Sequence, residues 1–309
     1  MSAAAGQITV PDRLTRSITA ADPDGADRWL AGLPALVAGQ LTRLGLTPDR
    51  VLDPGGSLSL VVYVHREDDL SPAVLKVSLR TPGTAHEPEA LTTWAGRGAV
   101  LLLDAATPDP ATTVLLPERL HGEIPLRSLA EPKAMLEATS LLHRLWVPAL
   151  PDHPFPALTA TALLARPLPA GAEALPVEAE PLLTEARETA DALAASAAEE
   201  FLLHGDFHHG NVLAADRAPW LAIDPRPLVG ERAYDLARLV LDRADTLVGS
   251  PGVPAAVRRR LHQLSEALDV DRERLRGWTL VRAVDLALAA LTADRRSDAE
   301  LYLEFAGAL

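Results

Sequence analysis

Cysteine is absent from the sequence. That excludes a disulfide framework, a thiolate metal site and a cysteine nucleophile. Lysine is nearly absent as well, with Lys76 and Lys133 standing against 27 arginines, and Asn211 is the sole asparagine. An excess of Arg, Ala and Pro is what a GC-rich genome produces by codon bias, so a lysine or asparagine that persists points to chemistry. Positive charge is in deficit, 29 Lys and Arg against 42 Asp and Glu, for a formal net charge of −13. Such a surface repels nucleic acid and anionic lipid, which call for clustered Lys and Arg. It draws in a cationic ligand where carboxylates converge. No apolar run reaches ~18 residues, and residues 1–10 carry neither a basic segment nor a following apolar one. The expectation is a cytoplasmic protein with no membrane partner.

What is present fits a folded globular protein. Apolar residues make up 48% and charged residues 23% of 309, which excludes wholesale disorder and needs no staple for stability. The length suits one large domain or two modest ones. Residues 27–44 have helical spacing, with Trp29, Leu30, Leu33, Leu36, Val37, Leu41 and Leu44 on one side. A turn at Pro54-Gly55-Gly56-Ser57 precedes a β-rich run, 59–65, and a charged turn leads to a second, 73–79, which predicts a hairpin. Residues 89–96 read as a short helix, 99–104 and 112–116 as strands. The rest reads as helical at 131–145, 181–200, 257–268, 272–293 and 298–308, interrupted by short β stretches at 201–203, 212–213 and 220–223. Residues 167–200 are rich in Ala, Pro and Glu. The expected architecture is α+β, with the sheet confined to about the first 120 residues and one small hairpin in a helical remainder. The expected domains are 1–120 and 121–309.

The segment His204-Gly205-Asp206-Phe207-His208-His209-Gly210-Asn211 carries the chemistry. Its two glycines disfavour a helix, and apolar strands flank it, so the polar residues sit on a tight loop. Asp224 closes the next apolar run, thirteen residues past Asn211. Two carboxylates and an amide of this kind suit Mg²⁺, which takes one or two protein carboxylates and completes its shell with phosphate and water. The remaining carboxylate is then available to accept a proton from a hydroxyl.

His204-Gly205-Asp206 with Asn211, Ile223-Asp224-Pro225 and Tyr234-Asp235-Leu236-Ala237 resembles the aminoglycoside phosphotransferases of the protein-kinase-like fold. The longer runs 203–213 and 218–225 resemble the branch of streptomycin 6-phosphotransferases and aminoglycoside/hydroxyurea resistance kinases. The likeness covers nearly the whole chain, weakening over 151–200 and after Asp285. It implies a two-lobe fold, with a β-rich N-terminal lobe and a mainly helical C-terminal lobe, and an enzyme using ATP and Mg²⁺. It also implies roles. Asp206 is the base that orients the acceptor hydroxyl, and Asn211 and Asp224 hold the metal. Lys76, positioned by Glu87, pairs with the phosphates, and Gly55, Gly56 and Ser57 cover them. The segment around Glu118 and Leu120 receives adenine. His204 and Asp235 support the loop.

Each reading has a plainer rival. His204, His208 and His209 could be zinc ligands, although a helix face through Gly205 is disfavoured and no glutamate stands beside them. Lys76 could be an edge-strand lysine that blocks aggregation. Glu89 competes with Glu87, since Pro88 between them is compatible with a first helical turn. Arg226-Pro227 and Gly230-Glu231-Arg232 depart from the family pattern of Lys-Gly and Gly-Asp-Pro, next to the expected acceptor site. The acceptor is expected to be a small cationic aminoglycoside-like molecule, streptomycin first, met by carboxylates such as Asp285, Glu300 and Glu304. The alternatives are a kinase for a hydroxyurea-like or biosynthetic metabolite and a non-catalytic pseudokinase. A monomer is expected.

Overall fold

Parity along one strand decides where the only buried lysine of the first unit points. The computed structural model describes residues 8–159, 179–246 and 252–309. It separates into two compact units, 1–121 and 122–309. Residues 1–7 and the first part of the 167–200 stretch lie outside the described residues.

The first unit begins with α1 (Asp12–Ala21) and α2 (Ala26–Leu44), then β1 (Leu46–Val51), β2 (Ser59–Arg66), β3 (Pro72–Leu79), α3 (Glu87–Trp94), β4 (Leu102–Asp109) and β5 (Thr112–Pro117). The apolar stripe read at 27–44 is α2, which stops at Gly45 in the left-handed region (φ 58°), where its N–H reaches the Leu41 and Thr42 carbonyls. The five strands form one antiparallel sheet in the order β1-β2-β3-β5-β4. In β3 the odd positions Ala73, Leu75, Val77 and Leu79 join Leu60, Val62 and Val64 of β2 in a core with Leu14, Ile18, Leu33 and Val37 of the helices. Each such side chain, fully buried, contributes roughly 1.5–3 kcal/mol. Because strand side chains alternate faces, Lys76 stands on the face away from that core. β3 is the central strand, so Lys76 is not an edge lysine.

The second unit contains β6 (His121–Pro125, starting at the boundary residue), α4 (Glu131–Leu145), β7 (Val147–Pro148), α5 (Glu180–Ala195), β8 (Phe201–Leu203), β9 (Val212–Ala214), β10 (Trp220–Ala222), β11 (Leu228–Gly230), α6 (Arg232–Val240), α7 (Val253–Leu268), α8 (Arg272–Thr292) and α9 (Arg296–Gly307). α8 is the central helix, with α5, α6, α7 and α9 against it. Its Trp278 is fully buried and meets Tyr234 of α6 edge-on at 5.5 Å.

The arrangement is α+β, a sheet-bearing first unit and a mainly helical second one. One expectation needs correction. Sheet structure is not confined to the first 120 residues: two three-stranded sheets, β10-β9-β6 and β11-β8-β7, occur beyond them. The small hairpin expected there is β9 with β10, and β8 pairs instead with β7 and β11. Three-residue strands carry too little alternation to reveal their partners. Among the described residues, no helix is long and apolar enough to cross a membrane.

Candidate active site

In the first unit, Lys76 Nζ donates to Glu87 Oε1 at 2.6 Å. Both side chains are buried, and Glu89 on the same helix is exposed. The pair Lys76–Glu87 is thus made in the geometry the sequence left open. Gly55, Gly56 and Ser57 form the turn between β1 and β2. Gly55 has φ 61°, and a Cβ there would lie 2.6 Å from the Leu52 carbonyl oxygen, so glycine is required. Its own carbonyl accepts from Arg13 of α1 at 3.3 Å. Glu118 braces its segment, its backbone N–H donating to Leu101 O and its carboxylate accepting from Leu101 N at 2.8 Å. Leu120 is buried two residues on.

In the second unit, β8 delivers the chain to a loop built by close backbone approach. Gly205 has φ 77°, and a Cβ on it would sit 2.0 Å from the Arg226 carbonyl oxygen. The loop is tied to the β10–β11 connection by Arg226 N to His204 O (2.7 Å) and Ile223 N to Asn211 O (2.9 Å). His204 is fully buried, and its Nδ1 accepts from the Asp206 N–H. Its Nε2 therefore carries the hydrogen that meets Ile223 O at 3.0 Å. Burial holds this imidazole below its ordinary pKa, against the pull of Asp235 and Asp206. His208 accepts from Gly210 N through Nδ1, and burial with Arg238 nearby lowers it to about 4.

Three guanidiniums surround the Asp206 carboxylate. Arg238 Nε donates to Oδ1 at 3.2 Å; Arg282 Nη2 stands 3.8 Å from Oδ1 and Arg226 Nε 3.7 Å from Oδ2. Burial pushes this carboxyl up, but Arg238, His208, Arg226 and Arg282 outweigh it and hold it well below the usual carboxylate range. Asn211 turns its amide nitrogen to the Asp206 carbonyl at 3.1 Å, which directs its oxygen the other way. Asp224 lies two residues past β10 in the left-handed region, φ 55°. An amide oxygen and one carboxylate form a donor set that fits Mg²⁺, which prefers hard oxygens and keeps sites for phosphate and water. Zinc does not fit: among the described residues, no group of three or more His, Cys, Asp or Glu is placed to hold a metal.

Helix α6 holds the loop from behind. Asp235 is fully buried and accepts from His204 N (2.8 Å), Gly205 N (2.7 Å) and Trp146 Nε1 (3.2 Å). Burial raises its pKa, while His204 and those N–H groups pull it back. Asp242, just past the helix, accepts from His209 N at 2.7 Å. From α8, the buried Arg282 donates to Gly205 O (3.2 Å) and to the Tyr234 hydroxyl (2.6 Å).

The family model described as "Aminoglycoside/hydroxyurea antibiotic resistance kinase" matches residues 44–294. The chain belongs to this family. It is 36% identical to the streptomycin 6-kinase of Streptomyces glaucescens over 300 residues, 91% of this chain and 90% of that one. It is 38% identical to a hydroxyurea phosphotransferase of Kitasatospora aureofaciens over 268 residues, 84% and 74% of the two chains. The crystal structure of aminoglycoside phosphotransferase APH(4)-Ia as a ternary complex with ADP and hygromycin B shares the fold, with a TM-score of 0.57 at 16% identity, covering 88% of this chain and 96% of that one. As a member of the family, this kinase is an ATP-dependent phosphotransferase with an alcohol group as acceptor.

Of the residues that set this kinase apart from the expected pattern, Arg226 is exposed, whereas Glu231 and Arg232 are engaged within the second unit. Glu231 is buried, ion-paired with Arg274 and accepting from Trp278 Nε1 at 2.6 Å. Arg232 pairs with Glu199 at 2.6 Å and lies over the rings of Trp146 and Phe201. Glu231-Arg232 therefore fastens α6 to α8 and to the segment before β8. Asp285 is buried, 3.8 Å from Arg282, whereas Glu300 and Glu304 are exposed on α9. Sequence reasoning missed Arg238, Asp242 and Arg282. Arg238 and Asp242 carried a signal in helical spacing, following Asp235 by three and seven residues, and Arg282 on α8 carried none.

Proposed function

We propose that this kinase transfers the γ-phosphoryl group of ATP to a hydroxyl of streptomycin, inactivating the antibiotic. The observation that carries the acceptor is the 36% identity to streptomycin 6-kinases along 91% of the chain. The chemistry rests on Asp206. The acceptor oxygen forms a bond to the γ-phosphorus, the bond from that phosphorus to the β–γ bridging oxygen breaks, and ADP leaves. Asp206 orients the hydroxyl and receives its proton. A carboxylate ringed by three guanidiniums is a weak base, which suits a loose transition state in which the nucleophile loses its proton late and positioning dominates. Lys76, held by Glu87, pairs with the α- and β-phosphates, and the Gly55-Gly56-Ser57 turn covers them. Glu118 and Leu120 border the adenine site. Asn211 and Asp224 hold Mg²⁺, which when bound neutralises charge on the phosphate oxygens.

The streptidine ring of streptomycin carries guanidinium groups, for which exposed carboxylates such as Glu300 and Glu304 are bidentate partners. Asp285 is engaged with Arg282 and serves the acceptor less directly. A phosphorylated drug gains negative charge and loses a donor, which weakens its hold on an anionic RNA target.

Mass spectrometry of streptomycin incubated with ATP, Mg²⁺ and the protein tests the reading, with Asp206→Asn as the control. One added phosphoryl group that is absent from the control supports it, and NMR of the product locates the hydroxyl. The likeness to a hydroxyurea phosphotransferase supports a second reading. Unmodified streptomycin alongside phosphorylated hydroxyurea would replace the first by the second.

A further inference from the structure

Three side chains along α6 and just past its end face the loop at a spacing of i, i+3 and i+7. Asp235 binds the backbone of His204 and Gly205, and Asp242 binds the backbone of His209. Between them, Arg238 reaches the one reacting side chain, its Nε donating to Asp206 Oδ1 at 3.2 Å. Its side chain is 13% exposed, while that of Arg226, 3.7 Å from Oδ2, is 48% exposed. The two oxygens of Asp206 are therefore unequal. Oδ1 is taken from the protein side by a directional hydrogen bond, and Oδ2 has only a long contact with an exposed guanidinium.

We propose that Arg238 is a positioning residue that locks the Asp206 carboxylate in one rotamer and reserves Oδ2 for the acceptor hydroxyl and its proton. This rests on the reading of Asp206 given above. A carboxylate on a short side chain has two torsions, and one hydrogen bond to a fixed oxygen restrains both. The anchor itself is rigid. Arg260 of α7 donates to the carbonyls of Val240 (2.9 Å) and Asp242 (2.8 Å) and pairs with Glu131, closing the far end of α6. At the near end, Glu231 is tied to α8. Support of this kind matters because a displacement of about 1 Å at a reacting group costs on the order of 10²-fold in rate. Arginine suits the task better than lysine, since its Nε–H has a fixed direction in a planar group.

The test uses full-length Arg238→Gln and Arg238→Lys. In a crystal structure of Arg238→Gln, the Asp206 carboxylate is expected to rotate or split, with the His204 and Gly205 N–H groups still on Asp235. An unchanged Asp206 rotamer overturns the proposal. With streptomycin and MgATP, kcat of Arg238→Gln is expected to fall about 10²-fold, with both KM values within about twofold and with Arg238→Lys recovering roughly tenfold. A kcat within about twofold of the parent, or a loss lying wholly in KM, overturns it. If Arg238→Gln does not fold, the crystal and kcat readouts are taken on Arg238→Lys, where a smaller shift of the same sign is expected and no shift overturns the proposal. If the unaltered protein leaves streptomycin untouched, the acceptor reading fails by itself, and the Asp206 rotamer in the variant crystal still decides the role of Arg238.

Discussion

Asp235 and Gly205 are joined by a 2.7 Å hydrogen bond from the glycine N–H to a carboxylate with no solvent exposure. That bond holds a backbone which only glycine can adopt, at φ 77° with the Arg226 carbonyl oxygen 2.0 Å from where a Cβ would be. Gly205→Ala is therefore expected to displace either the loop or the Arg226 segment and to reduce kcat by at least about 10²-fold. Steady-state kinetics on the purified variant check this. Near-normal turnover would mean that the backbone here adapts freely.

Lys76 and Glu87 form a buried pair, and breaking such a pair by removing one partner is strongly destabilising. Lys76→Met is expected to lose roughly 3–5 kcal/mol of stability, with Lys76→Met/Glu87→Leu recovering much of it. Both variants are expected to be catalytically poor. Thermal unfolding of Lys76→Met, Glu87→Leu and the double variant checks the coupling. A double-variant loss equal to the sum of the two single losses would mean that the pair contributes no coupling.

Glu231 supports the fold rather than the chemistry. Glu231→Ala breaks its pairing with Arg274 and the bond from Trp278, at a cost of roughly 3 kcal/mol. Melting temperature should fall and Trp278 fluorescence should change, while kcat/KM of the folded enzyme stays within about twofold. A specific loss of acceptor affinity would instead place this segment at the acceptor site.

Asp242 supplies a pH signature. Burial opposes its ionisation, but the His209 side chain and N–H, with His208, prevail and leave its pKa well below the ordinary range. The unfolded chain thus binds this proton more tightly. The stability Asp242 contributes is complete above an unfolded value of about 3.9 and is lost as pH falls below it. Asp242→Asn should melt earlier than the parent at pH 6, by the equivalent of about 1–3 kcal/mol, and the gap should narrow toward pH 3. A gap independent of pH would assign its role to shape alone.

The sequence made the loop readable because its chemistry is local: His204, Asp206 and Asn211 lie within eight residues, flanked by glycines. Asp224 followed from its place at a strand end. The arginines were hidden for the opposite reason. Arg238 and Arg282 are two among 27, and nothing nearby in the sequence distinguishes a guanidinium aimed at the Asp206 carboxylate from one in water. Placing Asp235 on a helix would have exposed Arg238 one turn later. Asp285 reads as an acceptor carboxylate from its place on a C-terminal helix, yet Arg282 stands three residues earlier and the two approach to 3.8 Å. The small sheets were unreadable because β7, β8 and β11 have two or three residues each, and their pairing is set by tertiary packing.

The loop from His204 to Asn211 takes its shape from a helix that begins more than twenty residues later. Its eight residues are therefore not a portable motif. Grafted alone into another scaffold they would keep their spelling and lose their conformation, because Asp235, Arg238 and Asp242 would stay behind. Any piece meant to carry the loop's shape into a related kinase has to bring with it the stretch from β8 through Asp242 and the partners that hold it from outside, Trp146 and the α8 arginine that reaches Gly205 among them.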